Sequence, residues 1–207
     1  LTAQERWPEL ADHLRHQVEL ASGEPDENDL KLKLGETLQH RLEDVHAAID
    51  VYEEITQDDP HHTDTVAALE KLVQQPEHQL RIIQILEPIY LATDQWRKRI
   101  AIYEAQVEAV DDPYDKVRLL SQIAELHETR SQDMQLAFHA WARAMAVEPP
   151  NQEVRDQVDR LATELGTWDA HVAAYEQALT QSPDPSVQSA LLGRIARVHD
   201  EKRGDPR

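Results

Sequence analysis

Apolar residues recur along the chain at helical spacing. Leu30, Leu34, Leu38 and Leu42 repeat every four residues, Val117, Leu120, Ile123 and Ala124 form a second stripe, and Val187, Leu191, Ile195 and Val198 a third. Spacings of three and four place such residues on one face of an α-helix. No stretch alternates β-branched and polar residues between glycine turns, so no strand is expected. Start and stop signals agree with helices: Asp44, Asp133 and Thr167 stand at N-cap positions, Pro185 opens a helix and Gly166 closes one. Between Pro60 and Trp96, Pro76 and Pro88 divide the chain into three pieces, read as additional short helices. Ten or eleven helices of ordinary length fill the chain.

The helices repeat. A shift of 89 residues, the distance from Trp7 to Trp96, brings Leu30 onto Leu119, Leu34 onto Ile123, Gly35 onto Ala124 and Asp44 onto Asp133. It also brings Ala48 onto Ala137, Tyr52 onto Trp141 and Pro60 onto Pro149, without a gap. A second shift of 72, from Trp96 to Trp168, brings Leu119 onto Leu191, Ile123 onto Ile195, His127 onto His199 and Asp133 onto Asp205. One unit is therefore about two helical hairpins long, and the first carries an insertion before Trp96. A single hairpin cannot bury its apolar face alone, whereas stacked copies share one continuous core.

These residues resemble tetratricopeptide repeats, which recur every ~34 residues as helix–turn–helix with Ala-x3-Phe and then Pro in the second helix. Ala48, Tyr52 and Pro60, and again Ala137, Trp141 and Pro149, carry the match, and Leu34-Gly35 is similar to the Leu-Gly of the first helix. Arg99 and His171 stand where Ala would precede the aromatic, so an Ala type and a Trp type of hairpin alternate. The whole resembles segments of long bacterial scaffold proteins of this family. The Trp96-x6-Tyr103-Glu104 and Trp168-x6-Tyr175-Glu176 helices also resemble half-a-TPR repeats of RNA-processing scaffolds. The resemblance implies an all-α, right-handed α-solenoid of antiparallel helix hairpins. It forms a single segment over 1–207, with approximate units 1–22, 25–60, 61–112, 114–149, 150–183 and 185–207.

Composition changes this picture in two ways. The net charge is −19, from 40 acidic against 21 basic residues. A nucleic-acid partner needs clustered cations, so none is expected, and an anionic membrane surface is disfavoured likewise. The most apolar run, around Ile82 to Ala92, is too short to span a bilayer and is broken by Glu87 and Pro88. No signal or membrane segment lies within the chain; the compartment stays open, with the cytoplasm favoured. There is no cysteine, which excludes disulfides and thiolate metal sites.

The chemistry is sparse. The Asp58–Asp64 loop holds two histidines among carboxylates, and His13 and His16 share a helix face, but neither has the fixed geometry a metal site needs. No phosphate loop or nucleophile signature appears, so neither an enzyme nor a cofactor is expected. Trp7, Trp96 and Trp168 are read as packing between repeats rather than as a ligand-stacking row.

The resemblance does imply a binding surface, a concave groove lined by the first helix of each hairpin. In this chain its positions are Leu32, Glu36, Ser121, Glu125, Glu128, Glu153, Asp156 and Arg160. The Lys and Asn with which chaperone-binding relatives hold a terminal carboxylate are absent; Gly193 and Arg197 stand at one such pair of places. The expected function is a protein-interaction scaffold presenting an acidic groove to a basic or amphipathic segment. The alternatives are a structural spacer and a peptide- or small-molecule-sensing domain. Neither end has the polar face of a capping repeat. Leu10, Leu14 and Val18, with Leu191, Ile195 and Val198, are therefore expected to expose apolar surface and to promote self-association.

Overall fold

A computed structural model of the chain describes residues 6–200. Among them are eleven α-helices and no strand. They fall in two compact units, divided between Gln95 and Trp96.

The first unit holds α1 (Arg6–Leu20), α2 (Glu27–Arg41), α3 (Val45–Asp58), α4 (Thr63–Leu72) and α5 (Gln79–Ala92). Each helix packs on the next in sequence, and α5 also reaches α3. The second unit holds α6 (Trp96–Ala109), α7 (Pro113–Leu126), a π-helical turn (His127–Ser131), α8 (Met134–Val147), α9 (Gln152–Leu165), α10 (Trp168–Gln181) and α11 (Pro185–Val198). Here too neighbours in sequence pack together, and α10 lies against α8. In the second unit α6 buries Ile102, Tyr103 and Val107 and packs on α7.

The 89-residue shift is a structural repeat. Asp44 accepts a hydrogen bond from the Ala47 backbone at 3.0 Å, and Asp133 accepts one from Leu136 at 3.0 Å. Each cap follows a left-handed residue, Glu43 at φ 56° and Gln132 at φ 55°. The cap N–H groups then close matched turns onto Leu38 and His127. Gly166 ends α9 in the left-handed region, at φ 66°, and Pro185 is in the first turn of α11. Asp112, Asn151 and Asp184 cap α7, α9 and α11 as well. Thr167 stands at the N-cap of α10 but makes no cap bond, and its Oγ1 is buried without a partner among the described residues. Asp205 lies outside the described residues.

The aromatic positions explain the register. Tyr52 and Trp141 are buried and reach across their hairpins to equivalent places. Tyr52 Oη donates to Gln39 Oε1 at 2.9 Å and Trp141 Nε1 to Glu128 Oε1 at 3.0 Å. Tyr90 in α5 and Tyr175 in α10 do the same toward Glu70 and Asp159, both at 2.8 Å. A large ring can fill the space between two helices only if its polar tip keeps a partner. Ala48 and Ala137, one turn earlier, are fully buried. Ala137→Leu is therefore expected to destabilise the chain by ~1–3 kcal/mol through overpacking, read from urea denaturation. Pro60 is exposed and Pro149 buried, so the shared proline acts on the chain's exit from the helix rather than through a common contact.

Three expectations change. Pro88 does not divide the 61–95 segment; it sits inside α5 on the exposed side. An interior proline costs about 3 kcal/mol, while each aliphatic side chain buried contributes roughly 1.5–3 kcal/mol. Ile82, Ile83, Ile85 and Leu86 before Pro88 and Ile89 after it are all buried, so burial wins. At the outer helices, Leu14, Leu191 and Val198 are buried and only Leu10 of the named residues is exposed. Their stripes face α2 and α10; Leu20, 73% exposed, and Leu192, 52% exposed, carry the apolar surface instead. The tryptophans Trp7, Trp96 and Trp168 are half-buried, with Arg41 4.7 Å over Trp7 and Arg97 4.1 Å over Trp96.

Candidate functional site

The positions implied for the groove fall in both units, and each unit's share stands by itself. In the first, Leu32 is half-buried, and Glu36 lines a cleft of about 400 Å³ between α1 and α2 with Trp7, Leu10 and Arg41. Beside it, Lys31 is only 7% exposed. Its ammonium joins Glu27 at 2.8 Å, Asp58 at 3.2 Å and Glu54 at 3.6 Å, tying α2 to α3. Burial pushes this lysine down, and the bonds from Glu27 and Asp58 more than reverse that, so it is held above the ordinary lysine range. Arg81 does similar work between α5 and α3, with Asp50 and Glu53 each at 2.6 Å.

In the second unit the implied residues divide by role. Glu125, Glu153 and Asp156 are exposed. Ser121 turns its hydroxyl back to the Val117 carbonyl at 2.8 Å, so it offers no outward donor. Glu128 and Arg160 are joined to each other at 2.6 Å, and Glu128 also accepts from Trp141. The π turn places Glu128 between α8 and α9, where its carboxylate links two hairpins. Both oxygens of this implied groove acid are thus engaged within the unit. His127 in the same turn is held below the ordinary histidine range, chiefly by burial and against the pull of Asp133 and Glu104.

Sequence reasoning missed the densest polar cluster. Asp159 of α9, with a side chain 18% exposed, takes His171 Nε2 at 2.7 Å and Tyr175 Oη at 2.8 Å on one oxygen, and the Arg194 guanidinium on the other. Burial raises its carboxyl, but the bonds from His171 and Tyr175 and the charge of Arg194 outweigh that and hold it below the usual carboxylate range. His171 packs edge-on to Tyr175, with ring centroids 5.3 Å apart. The available signal was the replacement of Ala by His171 four residues before Tyr175. Arg99 before Tyr103 is the companion case, its Nη2 donating to the tyrosine oxygen at 3.1 Å. What α9 would bring to His171 was not visible in either spacing.

Two cavities adjoin this cluster. A groove of about 450 Å³ between α9 and α11 is lined by Gln152, Arg155, Ser189, Gly193, Arg194 and Arg197, with Ala190. A smaller cavity of about 190 Å³ holds Asp159, Trp168 and His171 and shares Arg194 and Arg197 with the groove. In the first unit an apolar cleft of about 410 Å³ lies between α3 and α5, beside Pro88.

The chain matches no protein-family model and no curated protein. In the 58–64 loop, His62 Nε2 lies 3.9 Å from Asp29 Oδ1 of α2. His62 Nδ1 meets Thr65 Oγ1 at 2.9 Å, and among the described residues no group of three or more His, Cys, Asp or Glu could hold a metal ion. Nor is any described helix long and apolar enough to cross a membrane.

Proposed function

We propose that the chain is a protein-interaction scaffold built of tetratricopeptide-like hairpins in a right-handed solenoid. Its first helices present acidic side chains to a basic or amphipathic segment of another protein. The observation that carries this reading is the recurrence of one hairpin design. The pair α2–α3 and the pair α7–α8 have the same cap, the same left-handed turn and the same cross-hairpin aromatic bond. Repetition of this kind produces extended faces rather than an enclosed catalytic pocket. Glu125, Glu153 and Asp156 then supply exposed charge in the second unit.

The test is association of a lysine-rich amphipathic peptide, followed by stopped-flow anisotropy. Combining Glu125→Gln, Glu153→Gln and Asp156→Asn should slow association and flatten its dependence on salt. Glu128 is left intact, since its loss would also disturb Trp141 and Arg160. An on-rate indifferent to both the substitutions and the ionic strength would favour a structural spacer.

A further inference from the structure

We propose that the groove between α9 and α11 binds an oxyanion, a carboxylate or phosphate group, through Arg155, Arg194 and Arg197. This stands apart from the scaffold reading and concerns the opposite charge. The chain carries a formal charge of −19, yet among the described residues the groove lining holds three arginines and no acid. Chance placement in so acidic a chain favours the reverse. Guanidinium groups are planar, always charged and matched to paired oxygens, which makes them suited to carboxylate and phosphate.

The small residues of the lining support the same conclusion. On α11, Ser189, Ala190, Gly193, Arg194 and Arg197 all line the groove, the three small residues and Arg197 exposed and Arg194 half-buried. Gly193 lies inside the helix, where glycine is unfavourable relative to alanine. No packing requires it, because a Cβ added there would meet no atom within 4 Å. Its place in the lining gives the reason, since a side chain at Gly193 would project into the groove.

A second, independent observation lies deeper. His171 is 4% exposed and lines the smaller cavity that shares Arg194 and Arg197 with the groove. Its Nε2 is committed to Asp159, and its Nδ1 is buried without a hydrogen-bond partner among the described residues. Buried polar atoms of native proteins are nearly always paired, and with Nε2 donating to Asp159 the orphaned Nδ1 is an acceptor, which the O–H of a hydrogen phosphate or of a protonated carboxyl would pair. Asp159 already balances one arginine, and Arg155 spends one Nη2 on the Pro150 carbonyl and Gln152. Two cationic charges remain in excess over the cluster's one carboxylate. That suits a ligand carrying one or two negative charges.

The experiment is a titration of the whole chain, observed through arginine side-chain and Gly193 amide NMR signals. One arm uses inorganic phosphate and the other a tetraglutamate peptide. Saturable shifts confined to Arg155, Gly193, Arg194 and Arg197 are expected in at least one arm, and the responding arm identifies the oxyanion. Arg197→Gln should weaken binding by about tenfold, the usual effect of losing one charge-assisted contact. Gly193→Leu should abolish it while the melting temperature is kept, and Arg118→Gln, on the exposed face of α7, should change nothing. The proposal fails if neither probe saturates, if Arg118→Gln weakens binding as much as Arg197→Gln, or if Gly193→Leu binds normally. Arg197 is exposed, so its variant keeps the test decisive even where a second substitution perturbs folding.

Discussion

Gly35→Leu should destabilise the first unit by about 3 kcal/mol, at the upper end of what overpacking a close-packed interior costs. A Cβ built at Gly35 would stand 2.4 Å from Cε1 of Tyr52 and 2.9 Å from its Cδ1. The ring cannot withdraw, because Tyr52 is fully buried and its hydroxyl is fixed to Gln39. Even alanine would clash, although helix propensity favours it over glycine by about 1 kcal/mol. The position is informative because its repeat partner is Ala124, which is itself fully buried. The close approach of the two helices is thus specific to a tyrosine at this point. Urea denaturation and amide exchange over α2 and α3 measure the loss. Pairing Gly35→Ala with Tyr52→Leu should recover part of it, and strictly additive losses would show that the two residues do not meet. Gly193→Ala offers the contrast, with an expected gain of ~0.5–1 kcal/mol, since its Cβ meets nothing.

Asp159→Ala should cost about 3 kcal/mol, because removing one member of a buried charge cluster strands the others. Its loss leaves His171 Nε2, Tyr175 Oη and Arg194 without their shared acceptor and loosens α9 from α10 and α11. The pH dependence follows from the lowered carboxyl. An unfolded aspartate titrates near ~3.9, so stability owed to Asp159 is fully present above that value. It is lost as pH falls through the lower folded value, and the folded state then takes up the proton it had excluded. Wild-type stability should therefore drop more steeply below about pH 4 than that of Asp159→Asn, which has no such proton to bind. Denaturation series between pH 3 and pH 7 check this. Parallel curves for the two chains would mean that the carboxylate's partners do not favour its charged form.

How much of this was legible beforehand can be judged residue by residue. The caps Asp44 and Asp133, the glycine end at Gly166, the buried Ala48 and Ala137 and the paired roles of Tyr52 and Trp141 follow from the sequence alone. Each depends on interactions within one helix, its end, or one hairpin, which spacing encodes directly. The same local reasoning erred at Pro88, where a breaker within the helix is outweighed by apolar contacts on both sides of it.

What the sequence by itself determined is therefore the helical class, a count of ten or eleven helices and the cap and aromatic positions that α2–α3 and α7–α8 share. Tertiary structure alone decided that Glu128 meets Arg160, that Lys31 is caged by three acids, and that Asp159 gathers His171, Tyr175 and Arg194. It also decided that Arg155 shares a groove with Arg194 and Arg197. The physical reason is distance. A polar side chain among many of its kind has numerous acceptable partners in sequence, and only the packing of one helix against another brings a particular pair within hydrogen-bond reach.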